Sequence, residues 1–347
     1  MRYIPCFGRL LLVTACLMGT AIAHPQPVTP QPVKPQSAAD VVKAAPAGSW
    51  VAIDPRDLLV MALSPDARGQ PRQVLIQLMP APFSQGWVGN LRKLAAAHWW
   101  DGLSVYRVQD NWVAQWGDGE GEDKAKAKPL PEGLAKVDER EYALPDTALT
   151  NPAYATEKAS AAGAAHVLEL LKDGTHGSPL TMTGRAGDNY APYTGWQQGF
   201  PIASNFTRAW PIHCYGTVGV ARDLSPDTGT GAELYAVIGQ PPRQLDRNIA
   251  VVGRVVEGIQ FLSALPRAPG NGVYKDAADR TPILSVRLAS DLPAAEQPRI
   301  DVLSTESADF ARYADLRAHR KDDFIKVAAN GADICSIPVP VRRHPAS

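Results

Sequence analysis

The alternation of apolar and polar positions predicts a chain built mainly from short β-strands. Two apolar runs at 57–63 and 74–79 flank the turn-rich segment SPDARGQP, a pattern typical of two paired strands. Further strands are predicted at 103–108, 113–115, 216–221, 233–238, 249–256 and 283–289.

Other segments repeat apolar residues at helical spacing. In NLRKLAAAHWW, Leu91, Leu94 and Ala95 fall on one face, which predicts a short amphipathic helix. Helical patterns also occur at 257–265 and 307–325, and a helix over 156–174 is expected to end at Gly174. The domain thus begins with two strands, a helix and two more strands, an order typical of α+β proteins. This order excludes the regular alternation of strands and helices in a doubly wound parallel sheet.

The first 23 residues have the pattern of a secretory signal peptide. Arg2 and Arg9 supply the positive segment, an apolar run spans 10–18, and a small-residue cleavage site ends at Ala23. The apolar run is too short for a membrane span. We therefore interpret the segment as a signal peptide and expect export to the bacterial periplasm. A lipoprotein signal ending at Cys16 is the alternative.

The rest of the chain divides by composition. Residues 24–49 are rich in proline and poor in large apolar side chains, which predicts a flexible linker. A globular domain is expected over 50–292, with an insertion at about 119–213 and a C-terminal extension at 293–347. Aromatic residues at 190–210 in the insertion suit either a stacking platform for sugar or peptide, or the small core of a long loop.

The charge balance excludes one class of partner, and the cysteines limit the covalent and metal chemistry that the chain can have. The chain has 35 basic and 35 acidic residues, so it lacks the basic excess of a nucleic-acid-binding protein. Cys214 and Cys335 remain after signal removal, and in an oxidising compartment they either pair or stay separate buried thiols. Without a CxxC pair or a His/Cys cluster, no metal site is expected.

Arg107 raises the main chemical question. Its guanidinium is always charged, yet it lies within the apolar strand pattern LSVYRV. On the residues alone, an ion pair with Asp110 or Asp118 is the simpler explanation. A role in ligand binding is the other.

Three blocks of the chain, in order, resemble the cyclophilin-type peptidyl-prolyl isomerases: 74–119, 216–239 and 244–265. The resemblance implies a mainly β fold, namely an eight-stranded antiparallel β-barrel with a helix capping each end and a helical and loop insertion. It also implies cis/trans isomerisation of X-Pro peptide bonds in a groove on the outer face, without a cofactor. Proline-containing polypeptides are the implied partners, and no oligomeric state is assigned.

The resemblance also assigns roles to particular residues. Arg107 occupies the position of the catalytic arginine, which donates to the proline nitrogen. The implied substrate-binding residues are Trp112, Val113, Gln115, Ala221, Arg222, Glu233, Tyr235 and Leu245.

Several positions depart from the family pattern. Glu233 replaces a glutamine, Gln244 an aromatic residue, Ile249 a pocket histidine and Val252 a pocket phenylalanine. The Glu233 carboxylate is expected to pair with Arg107 and compete with substrate, and the other three changes predict a larger and less aromatic pocket. They favour, as the alternative function, a catalytically weak peptide-binding module. A glycan-binding surface on the insertion is the third hypothesis.

Overall fold

The computed structural model describes residues 36–150, 154–156, 158–159 and 188–344. The predicted signal peptide, the first part of the predicted linker and most of the helix predicted at 156–174 lie outside the described residues. Within these ranges, no helix has the length and apolar content needed to cross a bilayer.

The strands, numbered in chain order, are β1 (Trp50–Ala52), β2 (Leu58–Leu63), β3 (Arg72–Leu78), β4 (Ser104–Val108), β5 (Val113–Gly117), β6 (Leu144–Pro145), β7 (Tyr193–Gln197), β8 (Phe200–Ser204), β9 (Arg208–Pro211), β10 (Thr217–Val220), β11 (Leu234–Val237), β12 (Val251–Glu257), β13 (Thr281–Leu288), β14 (Ile300–Leu303) and β15 (Val341–Arg343). The helices are α1 (Ala38–Ala44), α2 (Gln85–Ala96), α3 (Gln260–Ser263) and α4 (Ala308–Ala318).

Eight of these strands close into an antiparallel barrel, so the predicted fold class is confirmed. Around the barrel the order is β10-β11-β5-β4-β13-β2-β3-β12. Strand β2 shows why its sequence is apolar throughout: Leu59, Met61 and Leu63 fill the interior, whereas Leu58 and Val60 pack on the outside. The filled interior leaves the outer surface as the place for a binding site.

The two ends of the described chain cover part of the outer surface. Strands β1, β14 and β15 form an antiparallel sheet in the order β1-β14-β15, and α1 packs against α4. Phe310 of α4 lies in one apolar cluster with Leu58 and Val60 of the barrel. The C-terminal extension is therefore part of the folded unit.

The prediction of a flexible linker is wrong for residues 38–49. This segment forms α1 and a 3₁₀ turn, and Val41 and Ala45 are buried in the cluster that contains Phe310. Its ordering depends on apolar partners more than 200 residues away in the sequence, for which local composition gives no signal.

The insertion contains a small sheet of its own, in the order β6-β9-β8-β7. Phe200 and Trp210 are each only 2% exposed, and Tyr193 is buried as well. Trp196 meets the ring of Phe310 edge-on at 5.1 Å between centroids. These contacts favour the small-core interpretation over a stacking platform for most of the aromatic residues, although Tyr190 is exposed.

Cys214 and Cys335 form a disulfide bond, with a Cα–Cα distance of 5.1 Å. Cys214 lies just before β10, and Cys335 lies in the 3₁₀ turn Ile334–Ser336 of the C-terminal extension. The bond closes a loop with a sequence separation of 121 residues. It therefore ties the end of the insertion to the extension.

Replacing both cysteines, Cys214→Ser with Cys335→Ser, is expected to lower the free energy of unfolding by about 2–5 kcal/mol, because a long closed loop restricts the unfolded chain. Urea titration monitored by circular dichroism measures the change. Reductant should shift the wild-type midpoint towards that of the double variant and leave the variant unchanged. Equal wild-type midpoints with and without reductant would contradict the prediction.

Candidate active-site groove

Arg107 reaches the outer surface beside a β-bulge. The pairing of β4 with β5 shifts between Val105 and Arg107, so that Arg107, and not Tyr106, lies opposite Gln115. A bulge allows consecutive residues to point to the same side of a sheet. Accordingly, Val105 and Val108 are buried in the barrel core, while Tyr106 and Arg107 both bond Gln115.

The half-buried guanidinium of Arg107 is held by three neutral acceptors. Its Nε donates to the carbonyl of Asn271 at 2.8 Å, Nη1 to Gln115 Oε1 at 3.0 Å, and Nη2 to Gln109 Oε1 at 2.6 Å. Burial lowers the pKa of Arg107, but a guanidinium stays protonated in proteins. Three of its five N–H groups are used by the described residues, and two are left for a ligand.

The two aspartates considered as ion-pair partners are engaged elsewhere. Asp110 pairs with Arg267 at 3.3 Å. The Asp118 carboxylate accepts from the backbone N–H groups of Glu120 at 3.0 Å and Lys128 at 2.7 Å. The ion-pair explanation for Arg107 is therefore not the arrangement found.

Among the described residues, Glu233 is connected to Arg107 through Tyr106 and Gln115 and not directly. Its Oε2 accepts from the Tyr106 hydroxyl at 2.9 Å, and its Oε1 accepts from the Asp118 N–H at 2.7 Å. The Gln115 amide in turn donates to the Tyr106 oxygen. Burial raises the pKa of Glu233 to about 7, and the two hydrogen bonds oppose this shift.

A row of residues crosses four neighbouring strands beside Arg107. Arg107 lies opposite Gln115, Gln115 opposite Tyr235, and Tyr235 opposite Gly219. A Cβ atom at position 219 would lie 2.3 Å from Tyr235 Oη, so glycine there makes room for the tyrosine ring. The row places a charged donor and a buried aromatic ring on the same face of the barrel.

An apolar cluster adjoins this row on the outer face. Val113, Tyr235 and Val237 are buried in it, and Trp112, Ala221, Leu245 and Ile249 pack against them. Five of the predicted substrate-binding residues thus meet in one place. Val252, however, lies in the barrel core, so its predicted place in the pocket is wrong: its side chain points inward.

Arg222 and the cluster residue Ala221 lie beyond the end of β10 and are not in a strand. The Ala221 N–H donates to the Glu233 carbonyl at 2.9 Å. Arg222 donates through Nε and Nη2 to the Asn248 carbonyl, at 3.1 and 2.8 Å, which ties this segment to the loop after Leu245.

The family model for cyclophilin type peptidyl-prolyl cis-trans isomerase/CLD matches residues 86–288. The chain belongs to the cyclophilin family. The fold is similar to the crystal structure of cyclophilin AquaCyp293 from Hirschia baltica, with 20% identity, a TM-score of 0.59, and coverage of 90% of this chain and 100% of that one. A Cryptosporidium parvum cyclophilin type isomerase matches at 11% identity and a TM-score of 0.37, over 67% of this chain and 96% of that one. No curated protein matches.

Sequence reasoning missed several residues of this cyclophilin groove. Gln109 and Asn271 hold Arg107, and Tyr106 bridges Gln115 and Glu233. The Asn271-Gly272 pair is a turn signal in the sequence, but its contact with a residue 164 positions away is not readable there. In the described ranges, no group of three or more His, Cys, Asp or Glu residues is placed to hold a metal ion.

Glu233→Gln is expected to change how stability depends on pH. The raised pKa means that the folded protein holds the Glu233 proton more tightly than the unfolded chain does. The wild-type free energy of unfolding should therefore decrease as pH rises from 4.5 through about 7, and the glutamine variant should lack this decrease. Urea titrations across this range measure the difference.

The matched control is Glu257→Gln, which removes a surface carboxylate that pairs with Arg343. This variant should keep the wild-type loss of stability over the same pH range. If Glu233→Gln and wild type show the same pH dependence, burial does not raise the Glu233 pKa.

Proposed function

We propose that the protein is a peptidyl-prolyl cis-trans isomerase that acts on exported polypeptides. The observation that carries this proposal is the placement of a charged donor with two N–H groups left over, beside an apolar cluster that suits a pyrrolidine ring. Membership of the cyclophilin family supports the reaction class.

The reaction requires rotation about a peptide bond against a barrier of about 18–20 kcal/mol, which arises from resonance. A hydrogen bond from Arg107 to the proline nitrogen favours the pyramidal nitrogen of the twisted bond and weakens that resonance. This hydrogen bond is strongest when the nitrogen lone pair is no longer delocalised into the carbonyl group. It therefore stabilises the transition state more than the ground state.

The neighbouring residues fix the geometry of this donor. Gln109, Gln115 and the Asn271 carbonyl orient the guanidinium without neutralising it. Trp112, Val113 and the other side chains of the apolar cluster hold the proline ring, so that only the acyl side of the bond rotates. No nucleophile or proton transfer is needed.

The signal-peptide pattern and the disulfide together support action in the periplasm. Disulfides persist in oxidising compartments, and the bond between Cys214 and Cys335 suits such a location. Proline-containing polypeptides that fold after export are then the substrates.

Arg107→Ala is expected to lower kcat/KM for an X-Pro peptide by roughly 10²-fold, the typical cost of removing a transition-state donor. Arg107→Lys should recover little, because an ammonium cannot make the same three bonds. Isomerisation can be followed by exchange NMR on a proline peptide and by the slow refolding phase of a proline-limited protein.

Arg72→Ala is the matched control, since it removes an arginine of β3 that bonds Ser64 away from the groove. It should leave kcat/KM within about twofold. Wild-type protein that binds the peptide without accelerating its isomerisation would refute the enzymatic proposal and favour the alternative of a peptide-binding module. The sequence support for that alternative is the set of departures Glu233, Gln244, Ile249 and Val252, of which Val252 lies in the barrel core.

A further inference from the structure

A continuous chain of polar side chains runs from the apolar cluster into the insertion. Tyr235 Oη lies 3.0 Å from His213 Nε2, and His213 Nδ1 lies 3.0 Å from Asp246 Oδ1. Arg243 donates through Nε to Asp246 Oδ2 at 2.7 Å and through Nη1 to Asp188 Oδ2 at 2.5 Å.

Four of the five members of this polar chain are almost fully buried, and Asp188 is partly buried. His213 is 0% exposed, Tyr235 and Arg243 are 4% exposed, and Asp246 is 5% exposed. A buried polar group that loses its partner keeps the cost of desolvation, so each member depends on the next. The arrangement is therefore well defined in geometry.

The direction of the hydrogen bonds at His213 follows from the Asp246 carboxylate, which can only accept. The Asp246 carboxylate accepts from the His213 backbone N–H at 3.0 Å and faces the ring Nδ1 as well. In a neutral imidazole whose Nδ1 donates to Asp246, Nε2 is the acceptor, and the Tyr235 hydroxyl donates to it. The tyrosine ring, nearly parallel to the imidazole at 14°, is thereby fixed in rotation and tilt.

The same polar chain fixes two walls of the apolar cluster. Tyr235 forms one wall on β11, and Leu245 forms another in the 3₁₀ turn Arg243–Leu245. Arg243 and Asp246, on either side of Leu245 in the sequence, are both members of the polar chain. Asp246 bonds His213, and His213 in turn bonds Tyr235, so these contacts set the distance between the two walls.

The insertion supplies the other end of the polar chain. His213 precedes the disulfide-bonded Cys214, and Asp188 anchors Arg243 from the insertion. The exposed ring of Tyr190 lies over the Arg243 guanidinium, with 4.6 Å between Cζ and the ring centroid. The insertion is thus coupled to the cluster through side chains that the isomerisation chemistry itself does not require.

We propose that His213 is a positioning residue for the proline pocket, and that the insertion sets the width of this pocket through the Tyr235–His213–Asp246–Arg243–Asp188 chain. The proposal rests on the proposed function, since it concerns how the same groove recognises a pyrrolidine ring. The polar chain acts on substrate binding and not on the Arg107 donor.

Tyr235→Phe is the sharpest test, because it keeps the ring and removes only the hydroxyl that bonds His213. KM for an X-Pro peptide should rise about fivefold, the effect of one lost hydrogen bond, with kcat within about twofold. A loss of uniform binding gives this split, whereas loss of the Arg107 donor lowers kcat. His213→Gln, which retains a polar partner for Tyr235, should give a smaller rise in KM than His213→Leu.

Tyr154→Phe is the matched control. Its hydroxyl donates to Asp146 at 2.5 Å and is equally buried in the insertion, but it is not part of the polar chain. Both phenylalanine variants should lose stability in urea titrations, but only Tyr235→Phe should raise KM. An equal rise in both variants, or an unchanged KM in Tyr235→Phe, would overturn the positioning role.

Peptide affinity measured by titration calorimetry separates this proposal from the proposed function. If wild-type protein binds the peptide without turnover, the enzymatic proposal fails, and a fivefold weaker Kd of Tyr235→Phe still supports the positioning role. If Tyr235→Phe binds the peptide as tightly as wild type does, the positioning role is wrong whatever the turnover.

Discussion

In a regular β-strand, successive side chains point to opposite faces of the sheet. Two consecutive residues therefore cannot normally bond the same side chain on the adjacent strand. The bulge in β4 removes this restriction for Tyr106 and Arg107, while Val105 and Val108 still fill the barrel. Because of the bulge, the Gln115 side chain accepts a hydrogen bond from Arg107 with its carbonyl oxygen and donates one to Tyr106 from its amide nitrogen. The orientation of Arg107, and hence the geometry of the whole groove, depends on this local change of register.

The closed barrel also decides where the other parts of the chain lie. Its interior is filled by side chains, so every added segment must pack on the outside. The two ends of the described chain cover the side formed by β2 and β3. The outer face of β4, β5, β11 and β10 carries the groove. The insertion contacts this face through His213, which bonds Tyr235 of β11.

Much of this architecture was predictable from the sequence, for physical reasons that also define the limit. Strand periodicity located the barrel strands closely, and five of the substrate-binding residues predicted from the ordered motifs meet in the apolar cluster. When both faces of a strand are buried, the sequence pattern does not show which face an apolar residue occupies. Val252 was therefore placed in the pocket, although it lies in the barrel core. The structure of residues 38–49 and the His213 chain depend on partners far away in the sequence, for which local patterns carry no information.

The glutamate at position 233 need not conflict with a catalytic arginine. A carboxylate placed directly on the guanidinium would compete with the proline nitrogen for its N–H groups. Here the Tyr106 hydroxyl and the Asp118 N–H occupy both oxygens of Glu233, and only the neutral Gln115 amide lies between Tyr106 and Arg107. The positive charge of Arg107 therefore stays available to a ligand, while Glu233 orders the residues that orient it.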